Sequence, residues 1–224
     1  MESITYKLVQ SARKSIALHI REGRLEVRAP FGAPRKEIER FIASKRDWIV
    51  ESLDFSKQLA ELQEGFSLNY GDNLRYLGKK YSITAREGDL IGFDGSFFMP
   101  PDLSPDGVMD ACVGIYKMLA KRVLTKKVDE FAKIMNVEPT AVKITSAKKR
   151  WGSCSWRNGL NFSWRLIMAH EELVDYVVVH ELAHLIEMNH GKRFWRIVEE
   201  IVPDHKNVRR RLKVLYIDLV LEGW

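Results

Sequence analysis

The chain contains little cysteine, and it lacks long apolar runs and a leader-like N-terminus. Cys112 and Cys154 are the only cysteines among its 224 residues, too few for a disulfide framework and typical of reduced, buried thiols in the cytosol. No uninterrupted apolar stretch approaches the roughly 18 residues of a membrane-spanning helix. Residues 1–5 lack a basic region followed by an apolar one, so no signal peptide is expected. These absences predict a cytoplasmic protein with no membrane partner.

The composition is that of a folded protein with an excess of positive charge. Hydrophobic residues make up 46% of the chain and charged residues 29%. The net charge of +6 is unevenly spread, because residues 51–110 are acidic and residues 111–150 are basic. A basic surface can bind nucleic acid or an acidic substrate, although most basic helix faces are only solvated. Nucleic acid is therefore a weakly supported partner.

The segment His180-Glu181-Leu182-Ala183-His184 carries the strongest chemical signal in the chain. Residues i and i+4 of a helix lie on one face, so His180 and His184 can point two imidazoles at one metal ion. Glu181 is placed to reach a water bound to that metal without ligating the metal itself. The apolar residues around the motif indicate a buried helix, in which unsatisfied polar groups would be costly. The motif therefore predicts a metal site.

A third ligand is expected from His190, which follows the point where the helical pattern fails. Three protein ligands with an open fourth position are typical of catalytic zinc, so we expect one Zn²⁺ per chain. Glu199 and Glu200 on the next predicted helix are alternative third ligands, and their other interpretation is a solvated helix face. The spacing from His180 to His190 matches metzincins. Glu187 stands where that group has glycine, which argues against metzincin membership but not against His190.

The hydrophobic pattern predicts an α+β fold in two regions. Residues 4–29 alternate as strands with a turn at Glu22-Gly23, residues 35–53 form one helix, and residues 73–99 are again rich in strands. Three prolines between residues 100 and 105 mark the best boundary in the chain. We predict an N-terminal β-rich region over residues 1–100 and a zincin-like metallohydrolase domain over residues 101–224.

The second region should contain a long helix, a β-hairpin and the active-site helix. The long helix is expected over residues 108–135, and Asn158-Gly159 is a favourable hairpin turn between strands. The active-site helix is expected over residues 171–188. Two further helices are expected, one over residues 194–202 and one that includes residues 208–219.

The order of motifs around this helix is similar to that of a known family. The motifs are Arg150-Trp151-Gly152-Ser153-Cys154, Leu160-Asn161, Trp164-Arg165-Leu166, residues 176–184, Asn189-His190 and Phe194-Trp195. Over residues 142–212 the chain resembles the YgjP-like family of predicted zinc metallopeptidases, which is related to the SprT-like and WLM groups. The arrangement of the N-terminal half is similar to that of the family too. The resemblance implies that His180, His184 and His190 are the zinc ligands and that Glu181 is the catalytic carboxylate. A nucleotide pyrophosphatase activity has also been attributed to members.

The hairpin next to the motif can contribute to substrate binding. An extended peptide can add to a strand edge, and residues 160–166 and 148–153 are the two candidate edges. Core packing is expected for at least two of Trp151, Trp156 and Trp164. The candidates for stabilising an oxyanion are Arg150, Tyr176 and His205.

These residues predict a zinc-dependent hydrolase, a cytosolic metallopeptidase that acts on a peptide or protein substrate. Glu181 would take a proton from a zinc-bound water and pass it to the leaving amine. One alternative is a metal-dependent nucleotide pyrophosphatase in which residues 148–150 hold phosphates, although the chain has no Gly-rich phosphate loop. The other is a DNA-associated protein-processing protease, which the likeness to the SprT-like and WLM groups suggests.

Overall fold

The computed structural model describes residues 4–21 and 23–224 and confirms a mixed α+β protein. It forms two compact units, one of residues up to 66 with Val220–Gly223 and the other of Ser67–Leu219 with Trp224. The predicted division into residues 1–100 and 101–224 stays a prediction. No helix among the described residues is long and apolar enough to span a membrane. The cytoplasmic location also stays a prediction.

The first unit is a three-stranded sheet followed by two helices. The strands are β1 (Tyr6–Ser11), β2 (Ala17–Arg21) and β3 (Arg24–Pro30), and the helices are α1 (Arg35–Ser44) and α2 (Arg46–Glu64). β3 lies in the centre, parallel to β1 and antiparallel to β2. Its alternating residues Leu25, Val27 and Ala29 are fully buried against Ile38 and Ile42. The predicted turn at Glu22-Gly23 includes Glu22, which lies outside the described residues, as do residues 1–3.

The single helix predicted over residues 35–53 is two helices, because the chain leaves the helical conformation at Lys45. The Ser44 hydroxyl donates to the carbonyl of Phe41 at 2.7 Å, and the Lys45 N–H bonds to the Ile42 carbonyl at 3.1 Å. A side-chain hydroxyl that bonds to the preceding turn competes with the regular helical pattern. The second helix then continues to Glu64, beyond the predicted end.

The second unit begins with four short strands and a long helix. The strands are β4 (Asn73–Tyr76), β5 (Lys79–Ala85), β6 (Gly92–Phe93) and β7 (Phe97–Met99), and the helix is α3 (Pro105–Met135). α3 starts earlier than predicted, since the Ser104 hydroxyl accepts from the Gly107 N–H at 3.2 Å and Pro105 occupies the first turn. Asn136 ends it in the left-handed conformation, at φ 51°.

The rest of the second unit contains a second small sheet and the helices of the site. Its elements are β8 (Ala141–Thr145), β9 (Gly152–Cys154), β10 (Gly159–Ser163), a 3₁₀ helix (Trp164–Met168), α4 (Glu171–Ala183), α5 (Lys192–Ile201) and α6 (His205–Leu221). β9 and β10 form the predicted hairpin, and Asn158 adopts a φ of 59° in its turn. β10 lies between β8 and β9, so the proposal that residues 160–166 form a free edge is wrong. β9 is an edge strand of this sheet.

α4 is fixed against α3 by packing and by an ion-pair cluster. Lys127 of α3 lies 2.6 Å from a carboxylate oxygen of Glu171 and 2.8 Å from one of Asp175. The side chains of Lys127 and Asp175 are only 14% and 27% exposed, so this pair is less screened than a surface pair. Val174, Val178 and most other apolar residues of α4 are buried. The helix that carries the motif is therefore held on a rigid base.

Candidate metal centre and active site

His180, Glu181 and His184 lie at the C-terminal end of α4, where the helix stops sooner than predicted. α4 ends at Ala183, and the prediction of a helix to residue 188 is wrong. The N–H groups of Leu185 and Ile186 bond three residues back, to the carbonyls of Leu182 and Ala183. Such short-range bonds tighten the last turn of a helix and satisfy its free carbonyls. The chain then turns within seven residues of Ala183 and returns His190 to the face of His180.

The three imidazoles converge on one point. Nε2 of His190 lies 3.1 Å from Nε2 of His180, and one ring nitrogen from each of the three residues lies within 4.8 Å of the others. The centroid of the His184 ring lies 5.1 Å from that of His180 and 4.7 Å from that of His190. Ligand atoms about 2.0–2.1 Å from a tetrahedral ion are roughly 3.3 Å apart, so this spacing suits a single ion.

The protonation of the cluster also suits metal binding, which requires neutral imidazoles. Burial, assisted by the charges of His184, His190 and Arg209, lowers the pKa of His180 to about 3. Burial and the neighbouring His190 also lower the pKa of His184. Nδ1 of His184 is buried without a hydrogen-bond partner among the described residues. A bound cation would therefore offset part of the cost of burying these rings.

The alternative ligands lie apart from the imidazoles. Among the described residues, His180, His184 and His190 form the one group of three or more histidine, cysteine or acidic side chains close enough to share an ion. Glu199 and Glu200 are exposed on α5. Both belong to the surface of that helix and neither joins the histidine group.

Aromatic rings surround the three imidazoles and fix their orientations. The Phe194 ring contacts all three, with centroid distances of 4.6 to 4.9 Å. Trp195 stacks on His190 at 5.6 Å with an interplanar angle of 25°. The Tyr176 hydroxyl lies 3.4 Å from Nδ1 of His180, which leaves Nε2 of that ring free to face the centre. Contacts of this kind orient ligand rings and exclude solvent.

Glu181 is buried beside the edge strand β9. Its side chain is 6% exposed, and its carboxylate accepts the backbone N–H of Cys154. Burial raises the pKa of Glu181 to about 7, opposed by that hydrogen bond and by the charge of Arg150. The Cys154 thiol is half-buried; burial and the nearby Glu181 raise its pKa, and it is not part of the histidine group. β9 thus positions the carboxylate through its main chain.

Gly152 lets the Glu181 carboxylate approach the strand. A Cβ at residue 152 would lie 2.7 Å from both Cγ and Oε1 of Glu181, closer than real Cβ contacts allow. The sequence predicts no role for Gly152, because its partner lies 29 residues further along the chain. The requirement here is for space rather than for an unusual backbone conformation.

Replacing Gly152 with alanine should therefore displace the Glu181 carboxylate while leaving the three imidazoles in place. Because the carboxylate would lose its orientation, we expect hydrolytic turnover to fall by at least about tenfold, a part of the roughly hundred- to ten-thousand-fold that a general base contributes. Metal content, measured by elemental analysis, should stay at the unmodified level. Gly191→Ala is the matched control, since a Cβ there meets nothing within 4 Å. Equal turnover in Gly152→Ala and the unmodified protein would contradict this role.

An open cavity of about 340 Å³ lies over His180 and Glu181. Trp151 and Tyr216 line it, with their rings edge to face at 6.5 Å. Arg150 and Tyr176 also line it, whereas His205 is 3% exposed and stacks on Trp195 at 5.2 Å. Of the three oxyanion candidates, the cavity thus brings together Arg150 and Tyr176 with Glu181.

The three tryptophans around the hairpin occupy different environments. Trp164 is 1% exposed and belongs to the core, Trp156 is 78% exposed, and Trp151 is half-buried in the cavity wall. The expectation that at least two of them pack in the core is therefore wrong. Alternation along a strand could not distinguish them, because Trp156 lies in the hairpin turn and Trp151 precedes the edge strand.

Comparison with solved structures finds two limited matches. The crystal structure of the metallopeptidase zymogen of Pyrococcus abyssi abylysin is 24% identical over 41% of this chain and 92% of its own, with a TM-score of 0.39. The crystal structure of the metallopeptidase zymogen of Methanocaldococcus jannaschii jannalysin is 22% identical over 40% of this chain and 92% of its own, with a TM-score of 0.36. No curated protein matches the chain.

The family comparison is more extensive. The model of the YgjP-like metallopeptidase domain matches residues 14–215, which include the three histidines, Glu181 and Gly152. This match confirms the family resemblance, both in residues 142–212 and in the N-terminal half. Membership of a metallopeptidase family also implies a bound metal ion. Because the match spans most of the chain, the protein belongs to the YgjP-like metallopeptidase family and is a hydrolase.

Proposed function

We propose that this protein is a zinc-dependent peptidase in which His180, His184 and His190 hold the metal and Glu181 is the general base. The observation that supports this most strongly is the convergence of three imidazoles beside a buried carboxylate, next to an open cavity that His180 and Glu181 line. A structural zinc site would be closed by a fourth protein ligand, whereas a catalytic site keeps that position open. Three neutral imidazoles suit zinc, a borderline-soft ion.

The proposed reaction is the hydrolysis of an amide by water. When bound, zinc would supply Lewis acidity toward the scissile carbonyl and the attacking water. Glu181 accepts a proton from the water as the new carbon–oxygen bond forms, and delivers a proton to the nitrogen as the carbon–nitrogen bond breaks. The Cys154 N–H and the space at Gly152 hold the carboxylate for both transfers. No covalent intermediate with the protein is required.

The open edge of β9 is the proposed binding edge for the peptide backbone. Ser153 pairs with Asn161 in β10, and the main chains of Trp151 and Ser155 also bond toward that hairpin partner. Successive residues of a strand direct their N–H and C=O groups to opposite sides, so those of Gly152 point away from β10. An extended peptide could add there as a further strand beside Glu181. Residues 148–153 were one of the two edges considered from the sequence.

Parallel profiling of peptides and nucleotides tests this function. We expect the chelated protein, once zinc is restored, to cleave members of a peptide library and to release new amino termini. Nucleoside triphosphates should stay intact under the same conditions. Cleavage of nucleotides without cleavage of any peptide would contradict the proposal. It would instead favour the phosphoanhydride hydrolase considered from the sequence.

A further inference from the structure

Four basic side chains surround the cavity above Glu181. Lys149 and Arg150 lie in the loop that leads into β9, and Arg209 and Lys213 lie one turn apart on α6. All four line the cavity and are exposed. Within the described part of the lining, Glu181 is the only acidic residue, and it is buried. The mouth of the cavity therefore carries a concentrated positive charge.

No described residue neutralises this charge by direct ion pairing. No carboxylate among the described residues lies within ion-pairing distance, 4.0 Å, of any of the four basic groups. Most basic residues on a protein surface are separate and solvated, but clustered charges that line a concave surface raise the local concentration of opposite charges. The arrangement is therefore suited to a substrate that brings its own negative charge.

Three local contacts hold parts of this basic wall, formed by Lys149, Arg150, Arg209 and Lys213, in place. The Arg209 guanidinium lies over the Trp195 ring, 4.7 Å from the centroid. The loop before Lys149 is anchored by the Ser163 hydroxyl, which donates to the Ala147 carbonyl at 2.7 Å. It is also anchored by the buried Arg165, which donates to the Ser146 carbonyl at 3.2 Å. Charges that are already positioned lose less freedom on binding.

We propose that this cavity selects extended peptides that carry acidic side chains next to the bond to be cleaved. The inference rests on the proposed peptidase function and specifies its substrate class. Side chains of a peptide paired with β9 would lie between the loop of Lys149 and the face of α6 that carries Lys213. A peptide backbone can also use both the N–H and the C=O of Gly152, whereas a phosphate can accept only from the N–H. The open strand edge thus offers a peptide backbone a carbonyl acceptor that phosphate groups do not use.

Fluorogenic peptides that differ only in the charge of the residues around the central bonds test whether acidic peptides are selected. Three panels of otherwise identical octapeptides would carry Glu, Gln or Lys around the central bonds. For the unmodified protein we expect kcat/KM to be highest for the Glu panel, and the ratio of Glu to Gln panels to fall as salt rises. A ratio of one, or a preference for the Gln panel, would overturn the proposal.

Reversing the charges of Lys149 and Lys213 tests whether the selection of acidic peptides depends on the cavity. The double variant Lys149→Glu, Lys213→Glu should lower the ratio of Glu to Gln panels by about tenfold, because it replaces two attractions with two repulsions. It should also make the Lys panel the preferred one. The matched control is Lys143→Glu, Lys206→Glu, which changes the net charge equally at exposed residues outside the cavity lining. An equal fall in the control would show general attraction to the protein and would overturn the proposal.

A binding measurement separates this proposal from the peptidase function. Labelled Glu and Gln peptides would be titrated with Glu181→Gln protein, by fluorescence anisotropy, with and without the two cavity reversals. We expect the Glu peptide to bind about tenfold more tightly and to lose that preference when Lys149 and Lys213 are reversed. This result would stand even if no peptide were cleaved, in which case only the peptidase function would fail. Equal binding of the two peptides would overturn the proposal even if both were cleaved.

Discussion

Replacing Glu181 with glutamine should reduce the hydrolysis of any substrate of this site by at least about a hundredfold, while leaving zinc and fold in place. Glutamine is nearly isosteric with glutamate but does not accept the proton of the attacking water. General-base contributions are typically about a hundred- to ten-thousand-fold. The variant keeps all three imidazoles, so its zinc content should equal that of the unmodified protein. Initial rates and elemental analysis of the same preparation measure both quantities.

The control for this variant is Glu199→Gln, which makes the same chemical change at an exposed residue of α5. It should keep full activity and full zinc content. An activity that chelation abolishes but that persists in Glu181→Gln would exclude Glu181 as the base. If only nucleotide cleavage persisted, the result would favour the nucleotide pyrophosphatase alternative, because attack at phosphorus can proceed without this carboxylate.

Replacing His190 with alanine should lower zinc affinity about as strongly as replacing His184. Each variant removes one of the three proposed imidazole ligands, whose ring nitrogens lie within 4.8 Å of one another. Glu200→Ala should leave zinc content unchanged, since that side chain is exposed on α5 and lies outside the histidine group. Zinc content after dialysis against a graded series of chelator concentrations measures the three affinities side by side.

The opposite pattern of zinc loss would change the assignment of the third ligand. If Glu200→Ala lost zinc and His190→Ala kept it, the site would resemble that of gluzincins. Circular dichroism of each variant separates loss of a ligand from loss of fold. His190 is exposed, so its replacement should leave the core of the second unit intact.

The central part of the site could be predicted because its geometry is local. The four-residue spacing of His180 and His184 and the buried character of the surrounding residues are properties of a single helix. The return of His190 required only that the helix end soon after the motif. Asn189 and Gly191 indicate such an end. The hairpin turn at Asn158-Gly159 was likewise encoded in two adjacent residues.

Features that depend on distant parts of the chain were not predicted. The central place of β10 depends on its parallel pairing with β8, which periodicity does not reveal. The basic wall of the cavity joins Lys149 and Arg209, which are 60 residues apart. Gly152 meets Glu181 because β9 packs against α4. Such contacts follow from tertiary packing rather than from local propensity.

The most direct test of this account is the zinc content of the unmodified protein, purified without added metal and measured by elemental analysis. The account predicts about one zinc ion per chain, bound by three neutral imidazoles with an open fourth position. Absence of any divalent transition metal, even after reconstitution with zinc, would contradict it.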